Sequence, residues 1–79
     1  MKLNEWAETK GYSDRKIADL MTSFLQGAYP DEGEVSVPAV QKYRTGRVPK
    51  GKRIAAIYSV TDGWVTANDF YDLPVASDE

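Results

Sequence analysis

One helical stripe of apolar residues constrains the fold of this chain more than any other feature. Five apolar side chains recur at the i, i+3, i+4, i+7 and i+8 spacing of one helix face: Ile17, Leu20, Met21, Phe24 and Leu25. Ser13 precedes the stripe and is suited to cap the N-terminus of that helix. No segment of strict period-two alternation stands out elsewhere. The sequence therefore predicts an all-α fold whose core is built on this helix.

Two further helices are predicted from their capping residues. Leu3, Trp6 and Ala7 have helical spacing and are followed by a glycine, which predicts a first helix over residues 3–10. Ser36 is a second N-cap candidate, and a proline in the next turn is compatible with a helix start. We therefore expect a helix over residues 36–45. The turn-rich segment 26–34 between the second and third helices, with two glycines and one proline, is expected to end the second helix.

The remaining chain predicts a fourth helix and a short fifth one. Pro49 is expected to open the fourth helix, with Ile54, Ile57 and Tyr58 toward the core and Gly63 at its end. The fifth is expected over residues 66–71, with a threonine N-cap and an aspartate at the N3 position. Three apolar residues are expected to close the core: Val65, Phe70 and Leu73.

Length and residue types exclude several classes of protein. The 79 residues form one domain, assigned to residues 1–73, followed by an acidic tail at residues 74–79. Because the chain has no Cys and no His, we expect no disulfide, metal site or Cys- or His-based catalysis. Without a phosphate-binding glycine loop or room for a deep pocket, we expect no enzyme, no cofactor and no small-molecule substrate. No signal peptide or membrane-spanning segment is visible, so a cytoplasmic protein is expected.

The distribution of charge is more informative than the net charge of −2. Residues 36–61 contain six basic side chains and no acidic one, whereas residues 1–35 sum to −3 and residues 62–79 to −5. A basic block between two acidic ones indicates a surface that binds a polyanion. The basic residues of the block are Lys42, Arg44, Arg47, Lys50, Lys52 and Arg53.

In the order of these motifs the chain resembles the Cro and lambda-repressor-like helix-turn-helix regulators, especially the small single-domain phage and prophage kind. Residues 13–21 resemble the family's second helix, with Ala18 in the expected place, and residues 35–49 resemble its recognition helix and the following turn. The family's fourth helix and the C-terminal end of its fold are resembled by residues 54–57, 61–63, 65–66 and 69–70. The departure is the connection before the recognition helix, where about a dozen extra residues replace the family's tight turn.

The predicted interface places α-helical residues in the DNA major groove. The base-reading candidates are Val37, Pro38, Gln41, Lys42 and Arg44. Glutamine is suited to adenine, lysine or arginine to guanine, and valine to a thymine methyl group. The resemblance favours Lys42 as a base reader. The phosphate-binding candidates are Arg15, Lys16, Ser36, Arg47, Lys50, Lys52 and Arg53.

Structural roles compete with these assignments. Tyr43 is expected in the core rather than as a stacking platform, and Trp6 and Trp64 in the core or at its rim. Tyr29 is expected to cover the core, and the acidic segment around it to point away from DNA. The predicted function is a sequence-specific double-stranded DNA-binding transcriptional regulator, a repressor that acts as a homodimer. The alternative is a protein-interaction module of the same fold, of antitoxin or phage packaging type.

Overall fold

The computed structural model describes residues 1–71, with the side chain of Tyr71 left aside. These residues form five α-helices and one 3-10 turn, and no strand occurs among them. The elements are α1 (Leu3–Lys10), α2 (Asp14–Ala28), the 3-10 turn (Pro30–Glu32), α3 (Val37–Arg44), α4 (Lys52–Val60) and α5 (Ala67–Tyr71). The all-α prediction is confirmed for this part of the chain. Leu73 and the predicted tail 74–79 lie outside the described residues.

The predicted ends of α1 and the start of α2 are confirmed. Gly11 has the left-handed conformation, with φ of +71°, and its N–H donates to the Ala7 and Glu8 carbonyl oxygens at the end of α1. The Ser13 hydroxyl accepts from the Lys16 N–H at 3.1 Å, which caps α2. Short polar residues and glycine thus set these boundaries locally, as their backbone chemistry predicts.

The C-terminal end of α2 lies inside the turn-rich segment 26–34, as predicted. The helix continues through Gln26 and Gly27 and ends at Ala28, after which Pro30 opens the 3-10 turn. A proline disfavours helical geometry in the residue before it, and Tyr29 has an extended φ of −140°. Burial of Leu25 offsets the cost of about 1 kcal/mol for the helical glycine at position 27.

The core surrounds α2, which contacts α3, α4 and the 3-10 turn. Ile17, Met21 and Leu25 are fully buried along one face of α2, and Leu20 and Phe24 are partly buried at its edges. The predicted stripe is therefore the centre of the core. The other helices and the segments between them contribute buried apolar residues: Leu3, Trp6, Ala7, Val35, Val40, Tyr43, Ala56, Ile57, Val65 and Phe70.

The fourth helix begins later than predicted. Gly51, with φ of +56° and ψ of −128°, is the N-cap, so α4 starts at Lys52 and Pro49 is buried in the preceding loop. Residues with a side chain rarely adopt such a φ, which explains the glycine at this position. Tyr58 is 54% exposed, so its predicted core position is wrong. The predicted core position of Ile57 is confirmed, Ile54 is half-buried, and Ala56 is buried in addition.

Side-chain hydrogen bonds close the C-terminal end of the described chain. The buried Thr61 hydroxyl donates to the Ile57 carbonyl oxygen at 2.7 Å and accepts from the Val65 N–H at 3.1 Å. Half of the predicted capping box of α5 is present: the Asp69 carboxylate accepts from the Thr66 N–H at 2.8 Å. The other half is not, because the Thr66 hydroxyl donates to Asp69 at 3.2 Å and the Asp69 N–H donates to the Thr66 backbone carbonyl oxygen. These contacts hold the 61–66 turn against the core. Within the described residues, no helix has the length and apolar character needed to cross a membrane.

Candidate nucleic-acid interface

The helix predicted over residues 36–45 is present as α3 (Val37–Arg44), and its start is capped as expected. The Ser36 hydroxyl accepts from the Ala39 N–H at 3.2 Å, and Pro38 occupies the first turn. Val40 and Tyr43 are buried, which confirms the predicted core face of this helix.

The predicted base-reading residues occupy different environments. Pro38, Gln41 and Lys42 are exposed to solvent. Val37 is half-buried and packs against the core, so only part of its side chain is accessible. The accessible face of α3 is therefore formed mainly by a proline, an amide and an ammonium group.

Arg44 lies apart from these exposed residues because its guanidinium is bound within the fold. Its Nη1 donates to Asp14 Oδ1 on α2 at 2.6 Å, and its Nε donates to Asn4 Oδ1 on α1 at 2.9 Å. The Arg44 side chain is 22% exposed. This geometry favours a role for Arg44 in fixing the orientation of α3 over a role in reading a base.

A basic cavity of about 470 Å³ lies between α3, the loop 45–51 and the first turn of α4. Its walls contain four basic side chains: Lys42, Arg47, Lys50 and Arg53. The only acidic residue among the lining residues is Glu32. Lys42, Arg47 and Lys50 are exposed and form no ion pair or side-chain hydrogen bond with residues 1–71. Three unpaired positive charges around one concave surface attract an anion, and the attraction weakens as salt rises.

Arg53 forms part of the wall of the basic cavity and is held in place. Its Nη1 donates to the Tyr43 hydroxyl at 3.0 Å, and its Nη2 donates to the Glu34 carbonyl oxygen at 3.2 Å. The predicted core position of Tyr43 is confirmed, and its hydroxyl reaches the cavity wall. Arg53 thereby ties the start of α4 to α3 and to the segment before α3.

The other predicted phosphate-binding residues are not all brought to this cavity. Arg15 is exposed at the start of α2, and the neighbouring Lys16 ammonium lies 5.8 Å from the centre of the Tyr12 ring. The Lys52 ammonium lies 4.9 Å from the centre of the Tyr29 ring and borders a separate groove. Ser36 does line the cavity, but its hydroxyl oxygen is engaged by the helix cap.

The segment between α2 and α3 folds back beside the basic cavity. Tyr29 packs against the core, with its ring centre 6.2 Å from that of Phe24, as predicted for a residue that covers the core. At the other end, the Val35 N–H donates to the Thr22 hydroxyl at 2.9 Å. We expect this acidic segment to point away from DNA, yet one of its acidic residues, Glu32, lines the basic cavity.

Sequence reasoning missed the residues that position α3. Asn4 and Asp14 hold α3, and Thr22 holds Val35 in the segment before it; each lies far along the chain from its partner. Asp14 has a local explanation in the sequence, since an acidic residue in the first turn of a helix is stabilised by the helix dipole. This local explanation does not indicate the second role of Asp14, which is the ion pair with Arg44.

Comparison with protein-family models, with characterised proteins and with solved structures found no match to this chain. The described residues also contain no group of three or more potential metal-binding side chains. The function of this chain is therefore inferred from the geometry and charge of the interface itself.

Proposed function

We propose that this chain is a sequence-specific double-stranded DNA-binding protein that regulates transcription, as a repressor. The proposal assigns base reading to the exposed face of α3 and phosphate binding to the basic cavity beside it. The observation that carries it is a cluster of three cations that have no side-chain partner among residues 1–71: Lys42 on the exposed face of α3, and Arg47 and Lys50 in the cavity wall next to it. The helix-turn-helix arrangement of α2 and α3 is part of the proposal.

The side chains of the exposed face suit the major groove. An α-helix fits this groove, and residues near its N-terminus meet base edges. The Gln41 amide can form two hydrogen bonds with adenine, and the Lys42 ammonium can donate to guanine O6 and N7. Pro38 offers an apolar surface to a thymine methyl group. In this proposal Arg47 and Lys50 neutralise phosphates, which positions the helix but carries no sequence information.

The contacts of α3 with the rest of the fold support a reading helix of fixed orientation. Arg44 binds α1 and α2, Arg53 binds Tyr43, and Val35 is bound to Thr22. These ties compensate for the long connection between α2 and α3, because they fix both ends of the helix. A rigid helix presents Gln41 and Lys42 at a defined angle, which base reading requires.

A single module of this size makes few base contacts, so we propose that two copies bind adjacent half-sites. Selection of binders from random duplex DNA tests the function directly. The expected result is a two-fold symmetric consensus with half-sites separated by about one helical turn, roughly 10 base pairs. Recovery of no consensus would refute sequence-specific binding.

Variants of α3 connect the consensus to the proposed residues. Gln41→Ala is expected to weaken binding of the selected duplex roughly fivefold to a hundredfold, since a bidentate contact with a base contributes about 1–3 kcal/mol of discrimination. Gln26→Ala, an exposed glutamine on α2, is the matched control and is expected to bind as the wild type does. Unchanged base preference in the Gln41→Ala and Lys42→Ala variants would remove α3 from the reading role.

A second candidate function, a protein-interaction module, is favoured by two exposed aromatic side chains. Trp64 is 62% exposed and Tyr58 is 54% exposed, and exposed aromatic residues are common anchors of protein interfaces. In that case Lys42→Ala would leave function intact and Trp64→Ala would abolish partner binding. The opposite result is expected for a DNA-binding protein.

A further inference from the structure

The basic cavity contains an acidic residue, Glu32, at a position where a phosphate-binding surface would not be expected to have one. Glu32 is half-buried at the end of the 3-10 turn and lines the same cavity as Lys42, Arg47 and Lys50. Its carboxylate forms no ion pair or hydrogen bond with residues 1–71. Glu32 therefore lowers the positive charge of the cavity without tying up one of its cations in a close contact.

The position of Glu32 is fixed by the fold on both sides. On one side, Tyr29 packs against the core, and its carbonyl oxygen accepts from the Glu32 N–H at 3.0 Å. On the other side, Val35 is buried, and its N–H is bound by the Thr22 hydroxyl. Glu32 is consequently held in the cavity wall by backbone that is anchored on both sides.

We infer that Glu32 limits the affinity of the basic cavity for DNA phosphates, and thereby holds down the sequence-independent part of DNA binding. This inference depends on the proposed DNA-binding function. A phosphate entering the cavity is attracted by the three unpaired cations and repelled by the carboxylate of Glu32. The repulsion is the same for every base sequence, because every duplex presents the same phosphates. Base contacts made by Gln41 and Lys42 are not opposed by Glu32.

Replacing Glu32 by glutamine tests the inference, because the substitution keeps the side-chain shape and removes only the charge. Glu32→Gln is expected to tighten binding to the selected duplex and to a scrambled duplex by the same factor. We expect a gain of roughly threefold to tenfold at low salt, which is the size of the repulsion between two like charges at a protein surface. The gain should shrink as salt rises, because screening weakens the repulsion.

Glu34→Gln is the matched control. Glu34 carries the same charge and lies two residues further along the chain, but its side chain is exposed and it does not line the cavity. This variant is expected to change affinity much less than Glu32→Gln. Thermal unfolding of both variants would verify that they are folded.

Four results would overturn the inference. Unchanged affinity in Glu32→Gln would do so, and so would an equal gain in Glu34→Gln, which would indicate a general effect of net charge. Weaker binding of the selected duplex alone would mean that Glu32 accepts a hydrogen bond from a base. In these three cases the proposed function would stand, whereas failure of the wild-type protein to bind any duplex would refute both.

Discussion

Replacing Arg44 by methionine removes the contact that ties α3 to α1 and α2. Methionine retains an unbranched apolar stem, so the substitution removes chiefly the guanidinium group. That group makes an ion pair with Asp14 at 2.6 Å and a hydrogen bond with Asn4 at 2.9 Å. The expected results are a less stable protein and a loss of discrimination between DNA sequences.

The size of the stability loss follows from the burial of the pair. Both side chains are 22% exposed, which places the pair between exposed ion pairs, at about 0–1 kcal/mol, and the loss of about 3–5 kcal/mol on breaking a buried one. We therefore expect Arg44→Met to lower the free energy of unfolding by about 2 kcal/mol. For a domain of this size that loss lowers Tm by roughly 8–16 °C. It is a large fraction of the total stability, roughly 4–12 kcal/mol for a chain of this length.

A double-mutant cycle measures the pair itself. Denaturant unfolding of the wild type, Arg44→Met, Asp14→Asn and the double variant gives the coupling energy between the two side chains. The cycle is needed because Asp14 also interacts favourably with the dipole of α2, and that contribution cancels in the cycle. We expect a coupling energy of about 1–2 kcal/mol. Additivity within about 0.3–0.5 kcal/mol, the usual range for independent sites, would refute the reasoning.

The same variant connects stability with DNA recognition. If Arg44 orients α3, Arg44→Met should weaken binding to the selected duplex more than binding to a scrambled one. Arg47→Ala, which removes an exposed cation of the basic cavity, should weaken both duplexes by a similar factor. Equal losses on both duplexes in Arg44→Met would contradict a positioning role.

Two further predictions concern the C-terminal end of the described chain. Thr61→Val should lower the free energy of unfolding by about 1–3 kcal/mol, because the buried Val65 N–H loses its acceptor. Thr45→Val, at an exposed threonine whose hydroxyl also bonds its own helix, should cost much less, and equal losses in urea unfolding would contradict this account. Burial would raise the pKa of Asp69, but hydrogen bonds from the Thr66 N–H, the N-terminal ammonium and the Thr66 hydroxyl outweigh it and lower the pKa below 3.8. The ionised carboxylate therefore stabilises the fold above pH 3.8, and this stabilisation is lost as the pH falls below that value. The difference in unfolding free energy between wild type and Asp69→Asn should therefore shrink as the pH falls below 3.8. A difference that stays constant with pH would contradict a stabilising role of the ionised carboxylate.

Local chemistry explains which parts of the fold could be predicted from the sequence. The caps at Ser13 and Ser36, the stop at Gly11 and the Asp69 half of the α5 capping box each depend on residues within one turn. The core stripe of α2 depends on helical periodicity alone. These features are present where the sequence indicates them.

Features that depend on tertiary contacts could not be predicted. The continuation of α2 through Gly27 is favoured by burial of Leu25, and the late start of α4 follows from a backbone conformation of Gly51 that no pattern indicates. Tyr58 satisfies helical spacing but is exposed, whereas Ala56 and Ile57 form the buried face of α4. Periodicity identifies a set of apolar residues, and packing decides which of them are buried.

At the candidate site, tertiary contacts likewise limit what the sequence can predict about charge. The basic block of residues 36–61 correctly indicates where positive charge concentrates, but counting charges does not distinguish free cations from bound ones. Arg44 and Arg53 are held by partners 10 to 40 residues away in sequence. Only the folded structure shows that Lys42, Arg47 and Lys50 are the cavity cations without a side-chain partner among residues 1–71.

The salt dependence of DNA binding tests the central claim most directly, because it counts the phosphates that the basic cavity neutralises. Each neutralised phosphate contributes about −0.9 to the slope of log affinity against log salt concentration, so the two cations assigned to phosphates, Arg47 and Lys50, predict a slope of about −1.8 or steeper per copy. Single replacement of Arg47 or Lys50 by alanine should flatten the slope by about 0.9 each. Lys10→Ala, an exposed lysine outside the cavity, should leave it unchanged. A slope that neither cavity variant changes, or no binding to duplex DNA, would contradict the claim that this cavity binds the DNA backbone.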